Sequence, residues 1–255
     1  MTPADDAPRL GIVVPTLNEA AHLPALLSDL RHLEVAYTVV VADGGSTDDT
    51  RGLAASAGCR VIVAPPGRAR QMNAGARVLD TPWLCFLHAD ARLDRAARAA
   101  LEDHVRTGGD EAAYFRFRIG ARGAFWRFIE FGQAVRERLG GLAYGDQGLI
   151  VPRARFEAAG GYPDEPLLED VLLLRALRRQ GAVRRLPAAL DTSPRRYREQ
   201  GRWRQWLRNT FVIGAFLAGV PPARLAHLYP PRRPPRRDGR RLFVFAKAPR
   251  PGEVK

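Results

Sequence analysis

A chain of 255 residues, 46% apolar and 26% charged, has room for one large α/β domain, or one domain plus a fragment, and its composition argues against disorder. Its formal charge of +13 is carried almost wholly by arginine, since Lys247 and Lys255 are the only lysines; a codon preference for arginine explains this as readily as affinity for nucleotide phosphate, acidic lipid or nucleic acid. Cys59 and Cys85 are too few for a disulfide framework, Asp5 and Asp6 replace the basic start of a signal peptide, and the longest apolar run, Phe211 to Val220, is about half of what spans a bilayer. A reduced cytoplasmic setting is therefore expected, with peripheral contact at the inner membrane face left open.

Leu10 to Val14 reads as a buried strand running into Pro15-Thr16-Leu17-Asn18-Glu19, and Leu23, Leu26, Leu27 and Leu30 follow at helical spacing. Val39 to Ala42 is a second strand, β-branched and without polar interruption. Asp43 stands at its end, Gly44-Gly45 permits a tight turn, and Ser46, Thr47 and Asp48 are candidate caps for the next helix. If the two strands are parallel neighbours, Asn18, Glu19 and Asp43 share the crevice outside the carboxyl ends, where open α/β sheets hold ligands. Ordinary capping and a first-turn acid would account for the same residues without a ligand.

Arg51 to Ala57 reads as helix and Arg60 to Val63 as a third strand, before Pro65-Pro66-Gly67 breaks the chain. Gly67 to Ala76 opens a helix with Arg68 and Arg70 set against the helix dipole. A diphosphate gripped by guanidinium forks would relieve that conflict; a solvated helix face is the plain alternative. Trp83 to Leu87 is a fourth buried strand ending in His88-Ala89-Asp90-Ala91, a period-two pair spaced to reach one divalent cation. Asp94 to Val105 is an amphipathic helix with Leu101 and Val105 inward.

Ala113 to Ile119 alternates as a strand. Ala124 to Leu139 is an aromatic-rich helix expected to belong to the core, with lining an acceptor groove as its other use. Gly145 and Gly148 bracket Asp146 and Gln147, a shape suited to bringing both into a site ahead of the strand Leu149 to Val151. Arg153 to Ala159 is a short helix closed by Gly160-Gly161. Glu169 and Asp170 open the helix Val171 to Gln180, either as an N-cap pair or as carboxylates at a crevice. Val183 to Leu186 is another strand, Thr192 to Trp203 a basic aromatic segment that closes over an anionic ligand or is simply solvated arginine, and Trp206 to Leu217 a helix ended by Pro221-Pro222. Pro230 to Arg241, with four prolines and six arginines, reads as a linker between a domain over 1–229 and a fragment over 242–255 whose one strand and loop cannot build a core.

In this order the motifs resemble glycosyltransferase family 2, the nucleotide-sugar-dependent enzymes of GT-A fold, a Rossmann-like mixed α/β sheet flanked by helices. The resemblance covers Arg9 to Ala218. It is carried by Val14-Pro15-Thr16-Leu17-Asn18-Glu19, the stretch Val41 to Asp48, Gly67 to Gly75, Leu87-His88-Ala89-Asp90 and Glu169-Asp170. Gly67-Arg68-Ala69-Arg70-Gln71-Met72-Asn73, with Gly145-Asp146-Gln147-Gly148, looks like a narrower bacterial subgroup, the arsenosugar-biosynthesis or selenodomain-associated glycosyltransferases. The tail from Leu242 is similar to the opening of that subgroup's companion transferase domain.

The resemblance implies a metal-assisted, inverting transfer of hexosyltransferase type, from a nucleotide-diphosphate sugar (a UDP-sugar foremost) to an acceptor hydroxyl that the motifs do not identify. It implies that Thr16, Glu19 and Asp43 hold base and ribose, that Arg68 and Asn73 reach the nucleotide or diphosphate, and that Asp90 binds Mn²⁺ or Mg²⁺. Asp170, with Glu169 beside it, would deprotonate the acceptor, and Asp146 and Gln147 would orient a sugar. One departure stands out: the family's acid-x-acid metal motif is His88-Ala89-Asp90 here, so His88 ligates metal, faces the sugar or packs. A nucleotidyltransferase would share the Asp43 and Asp90 geometry, but the first strand lacks a glycine-rich basic signature. A basic protein binding nucleic acid or membrane through Arg195 to Arg241 would leave the carboxylates at successive strand ends unexplained, and no nucleic-acid partner is expected.

Overall fold

The computed structural model describes residues 9–107, 109–140 and 145–228. Strand and helix alternate through β1 (Leu10–Thr16), α1 (Leu23–Leu30), β2 (Tyr37–Asp43), α2 (Thr50–Ser56), β3 (Arg60–Val63), α3 (Arg68–Arg77), β4 (Trp83–Phe86) and α4 (Arg95–Thr107). After these come β5 (Ala112–Ile119), α5 (Ala124–Gly140), a 3-10 turn (Gly145–Gln147), β6 (Leu149–Pro152), α6 (Arg153–Ala158), α7 (Glu169–Gln180) and β7 (Val183–Thr192). Three helices close the described chain: α8 (Arg195–Gln200), α9 (Arg202–Leu217) and α10 (Pro222–Leu225).

The strands form one mixed sheet in the order β3-β2-β1-β4-β6-β5-β7. The first four are parallel, β6 runs antiparallel to both β4 and β5, and β7 is parallel to β5. The apolar runs in β1, β2 and β4 are buried because helices cover both faces. On one face α1 and α4 supply Leu23, Leu26, Leu30, Leu101 and Val105 against Ile12, Val14 and Phe115. On the other, α3, α6 and α7 supply Met72, Phe156, Leu173 and Leu177 against Val13, Val40 and Phe86. The bare Gly75 lets α3 lie directly on β1, where an added Cβ would sit 2.4 Å from Val13 Cγ1. Both cysteines are free, and burial pushes the Cys85 thiol up to about 12.

Four expectations need correction. The last strand does not stop at Leu186 but runs through Pro187 to Thr192; it is an edge strand, and a register break opposite Tyr114 and Arg116 accommodates the proline. The final long helix begins at Arg202 rather than Trp206, because Gly201, at φ 85°, breaks the chain between α8 and α9. Helix α5 is core only in part: Trp126 and Ile129 are buried, whereas Phe128 and Phe131 are exposed. Of the three candidate caps of α2, which begins at Thr50, Asp48 alone serves, its Oδ1 accepting the Thr50 amide at 3.1 Å, while Ser46 bonds to Asp43 and Asn18 and Thr47 to Asn18. The proposed linker and the fragment over 242–255 lie outside the described residues. Among the described residues no helix is long and apolar enough to cross a membrane.

Candidate functional site

Register places Thr16 beside Asp43 at the carboxyl edge of the parallel strands. Asp43 is wholly buried and its two oxygens serve the chain's own donors. Oδ1 accepts the amides of Gly45 and Ser46 (3.0 and 2.8 Å); Oδ2 accepts the Thr16 hydroxyl at 3.0 Å and the Ser46 hydroxyl. The loop after β1 is zipped to the loop after β2 by further bonds. Asn18, held at φ 56°, accepts the Thr47 amide at 2.8 Å, its own amide donates to Ser46 Oγ at 2.9 Å, and the Glu19 amide donates to Thr50 Oγ1 at 2.9 Å. Gln71, buried on α3, donates to the carbonyls of Thr16 and Ala42, both at 2.7 Å. The Glu19 carboxylate is buried and pairs with Arg195 at 3.2 Å.

Along the same edge, beyond β4, a cleft opens between the strand tips, the start of α7 and one side of α9. His88, Asp90, Asp146, Asp170 and Arg68 all line it. Asp170 Oδ2 accepts the Gly145 amide at 2.5 Å and Oδ1 accepts the Val171 amide at 2.7 Å, so this carboxylate is fixed by the 3-10 turn and by its own helix start. A Cβ built on Gly145 would lie 3.1 Å from Asp170 Oδ2 and 3.3 Å from His88 Nε2: the glycine sits between these two groups and leaves them facing one small space. Asp90 is half-buried, makes no hydrogen bond or ion pair among the described residues, and fronts an adjoining cleft that also contains Arg92 and Asp191. Arg68 Nε pairs with the buried Glu169 at 2.9 Å and Arg70 with Asp164 at 2.8 Å, so the anions that offset the start of α3 are side chains of this chain.

Glu169 and Asp170 are not an N-cap pair. They are the first two residues of α7, and the cap position belongs to Leu168 at φ 62°. Among the described residues, Asn18 and Leu168 are the two non-glycine residues at positive φ, and they flank the region where the polar groups gather. Conformational strain of that kind is concentrated at functional sites. Beneath α7, burial, reinforced by the charges of Asp170 and Glu169, pushes the Tyr162 phenol far above its ordinary value of 10 and keeps it neutral.

Of the predicted site residues, Thr16, Glu19, Asp43, Asn73, Gln147 and Glu169 do not line this cleft, and two of them are spent on holding its supports in place. Asn73 spends its amide on the Tyr162 backbone, donating to the carbonyl at 2.7 Å and accepting from the amide at 2.9 Å, which ties α3 to the loop before α7. Gln147 is fully buried; it donates to Phe115 O at 3.1 Å and to Glu137 Oε1 at 2.7 Å and accepts from Gln133. It anchors the 3-10 turn to β5 and α5, while its neighbour Asp146 faces the cleft. The sequence reading missed Gln71 and Arg195 as partners of the strand tips, and Tyr197, Gln205 and Asn209 as lining groups; only the basic aromatic character of Thr192 to Trp203 pointed toward that wall.

Among the described residues, no three His, Cys, Asp or Glu side chains form a ligand cage for a cation. A cage is not the requirement where a substrate brings phosphates, because Mg²⁺ and its like are held by one or two carboxylates plus phosphate oxygens and water. Asp90, with its oxygens unengaged, is a donor of that kind.

A mixed sheet with polar residues gathered at the carboxyl edge of its parallel strands is the GT-A architecture. The mannosyltransferase PcManGT from Pyrobaculum calidifontis, solved in complex with GDP-Man and Mn²⁺, superposes with a TM-score of 0.62 at 20% identity, covering 87% of this chain and 68% of that one. S. aureus TarS residues 1–349, in complex with UDP-GlcNAc, superposes at 0.58 and 15% identity, covering 72% and 58%. These are likenesses of fold. The sequence profile of glycosyl transferase family 2 matches residues 11–145, and the chain belongs to that family. Over 100 residues it is 35% identical to an uncharacterized glycosyltransferase of Mycobacterium tuberculosis, a match covering 39% of this chain and 44% of that protein. Over 105 residues it is 38% identical to the PGL/p-HBAD biosynthesis glycosyltransferase of the same organism, covering 37% and 41%. These matches span less than half the length of either relative.

Proposed function

We propose that this protein transfers a sugar, of hexose type, from a nucleotide-diphosphate donor to an acceptor hydroxyl with inversion at the anomeric carbon. The observation that carries the reading is that Asp90, from the end of β4, and Asp170, from the start of α7, line one cleft, Asp90 without a hydrogen-bond or ion-pair partner among the described residues and Asp170 held by the Gly145 amide. In-line displacement needs the attacking oxygen and the leaving diphosphate on opposite faces of the reacting carbon. Asp170 would take the proton from the acceptor hydroxyl, and its fixed orientation favours that role. Arg68 would offer its guanidinium to the diphosphate from the start of α3. Thr16, Glu19 and Asp43 form the floor of the base and ribose site, with Asp43 acting through the loop it holds, and Asp146 would orient a sugar. Asn73 and Gln147 support these groups from behind.

Asp90, with His88 as a second donor, would hold Mn²⁺ or Mg²⁺ together with the diphosphate, and such a cation neutralises negative charge on the leaving group. The complexes of the fold neighbours with UDP-GlcNAc and with GDP-Man and Mn²⁺ support this donor class. A UDP-sugar is the first donor to test. Calorimetric titration of UDP and GDP, with and without Mn²⁺, into the protein and into Asp90→Ala is the test. Metal-dependent binding lost in Asp90→Ala is expected; binding indifferent to metal and to that substitution would overturn the assignment of Asp90.

A further inference from the structure

Seven large apolar side chains are exposed among the described residues, and six of them lie on α5 and α9: Phe128, Phe131, Trp203, Leu207, Phe211 and Leu217. Such clustering is unusual for a free surface, where exposed apolar residues are normally scattered. Trp203, Leu207 and Phe211 follow one another at intervals of four, so they form one stripe along α9, 60%, 59% and 63% exposed. The stripe is continuous with α5, since the Phe128 ring lies 6.2 Å from Trp203 and 5.3 Å from Trp206, and Phe131, 68% exposed, stands one turn beyond Phe128. The opposite side of α9 supplies Gln205, Asn209, Val212 and Ile213 to the cleft. One helix therefore carries a site wall on one face and an uncovered apolar stripe on the other.

The charges beside the stripe select its partner. Helix α9 contains Arg202, Arg204 and Arg208 and no acidic residue. The acids of α5 are turned inward: Glu130 accepts the Ile119 amide at 2.8 Å, and Glu137 is buried against Gln147. Arg202 stacks over the rings of Phe125 and Trp126, with its guanidinium carbon 6.0 and 5.4 Å from their centres. Apolar and aromatic side chains on one face, with arginine at its margin and no acid on the helix itself, describe a helix that lies in the interface of an anionic bilayer, and a helix of 16 residues is too short to cross one. We infer that the α5–α9 face docks this protein onto an anionic lipid surface, with Trp203, Leu207 and Phe211 inserted among the headgroups. This goes beyond the proposed chemistry, and its test needs no catalysis.

The test is co-sedimentation of the full chain with phosphatidylcholine vesicles, with and without phosphatidylglycerol. The comparison protein is the triple variant Trp203→Ser, Leu207→Ser, Phe211→Ser, whose net charge is unchanged. Wild type is expected to bind the anionic vesicles, and the triple variant at least about tenfold more weakly. Equal binding would show adsorption by arginine charge alone and overturn the inference. As a check independent of the triple variant's folding, brominated lipid is expected to quench tryptophan fluorescence in wild type and much less in Trp203→Phe. Unquenched wild type bound to vesicles would refute insertion. A wild-type dimer in light scattering that becomes monomeric in Phe131→Ser, with no vesicle binding by wild type, would reassign the face to self-association.

Discussion

Asp43 offers the sharpest test of the site's construction, because a fully buried carboxylate serving four internal donors has a calculable replacement cost. In Asp43→Ala the Ser46 amide, the Ser46 hydroxyl and the Thr16 hydroxyl lose their acceptor in a dry environment, while the Gly45 amide lies on an exposed residue and can turn to water. A buried donor left unsatisfied costs about 1–3 kcal/mol, so the three together cost roughly 3–9 kcal/mol. Asp43→Asn keeps an oxygen for the two amides and presents an NH2 to hydroxyls that can rotate to accept it, so about 1 kcal/mol is expected. Urea unfolding followed by far-UV circular dichroism, with an unchanged slope, reads both numbers against a domain stability of about 5–15 kcal/mol. Nucleotide affinity should follow the loop: reduced in Asp43→Ala and nearly retained in Asp43→Asn. An alanine variant as stable as wild type would refute the account of the network. An asparagine variant of native stability that no longer binds nucleotide would instead put Asp43 in direct contact with the ligand.

Asp170→Asn should abolish transfer by at least about a hundredfold while leaving UDP binding near normal, as measured by product formation and calorimetry; loss of binding as well would remove its role as general base. Burial pushes the His104 imidazole below its ordinary value of 6.5, against the hydrogen bond from its ring to the Glu111 carbonyl. The unfolded chain therefore protonates first. The stability this neutral histidine permits is complete above pH 6.5 and declines as pH falls from there toward the folded value, by up to about 1.4 kcal/mol per unit. Urea midpoints across that window should slope less in His104→Gln than in wild type; parallel slopes would contradict the assignment. Gly75→Ala should destabilise by about 1–3 kcal/mol, since its methyl would press on Val13 and lift α3 from β1, and thermal unfolding would detect it.

Much of this molecule was legible in its sequence where local composition and tertiary demand agree. The β-branched runs of β1 and β2 and the apolar run of β4 read as buried strands, and the polar residues that follow each run had to meet at one edge once the strands were parallel. Where one residue serves two masters, the reading failed. The strand expected over Val183 to Leu186 is too short, because an edge strand with a register break tolerates Pro187, which cannot donate to a ladder. Asn73 is expected at the nucleotide from the family resemblance and Gln147 at a site because glycines bracket it, yet each is spent on the protein's own polar groups, a demand that appears only once the backbone is in place. The pairing of Glu19 with Arg195 spans 176 residues, and no local pattern announces it. The left-handed turn at Leu168 is equally silent, for leucine has no preference for that conformation.

The reversal of β6 gives the molecule a seam. Four residue pairs, from Phe86 opposite Leu149 to Trp83 opposite Pro152, join the half of the sheet that carries His88 and Asp90 to the half that the Gly145–Gln147 turn enters. Because side chains alternate along a strand, a slip of one residue there would reverse the faces of β6 and carry the turn about 3.4 Å along the edge. The cleft would come apart with every one of its residues unaltered. Loss of activity by damage far from any reacting group is thus a property of this topology, and the seam is where a search for such lesions should begin.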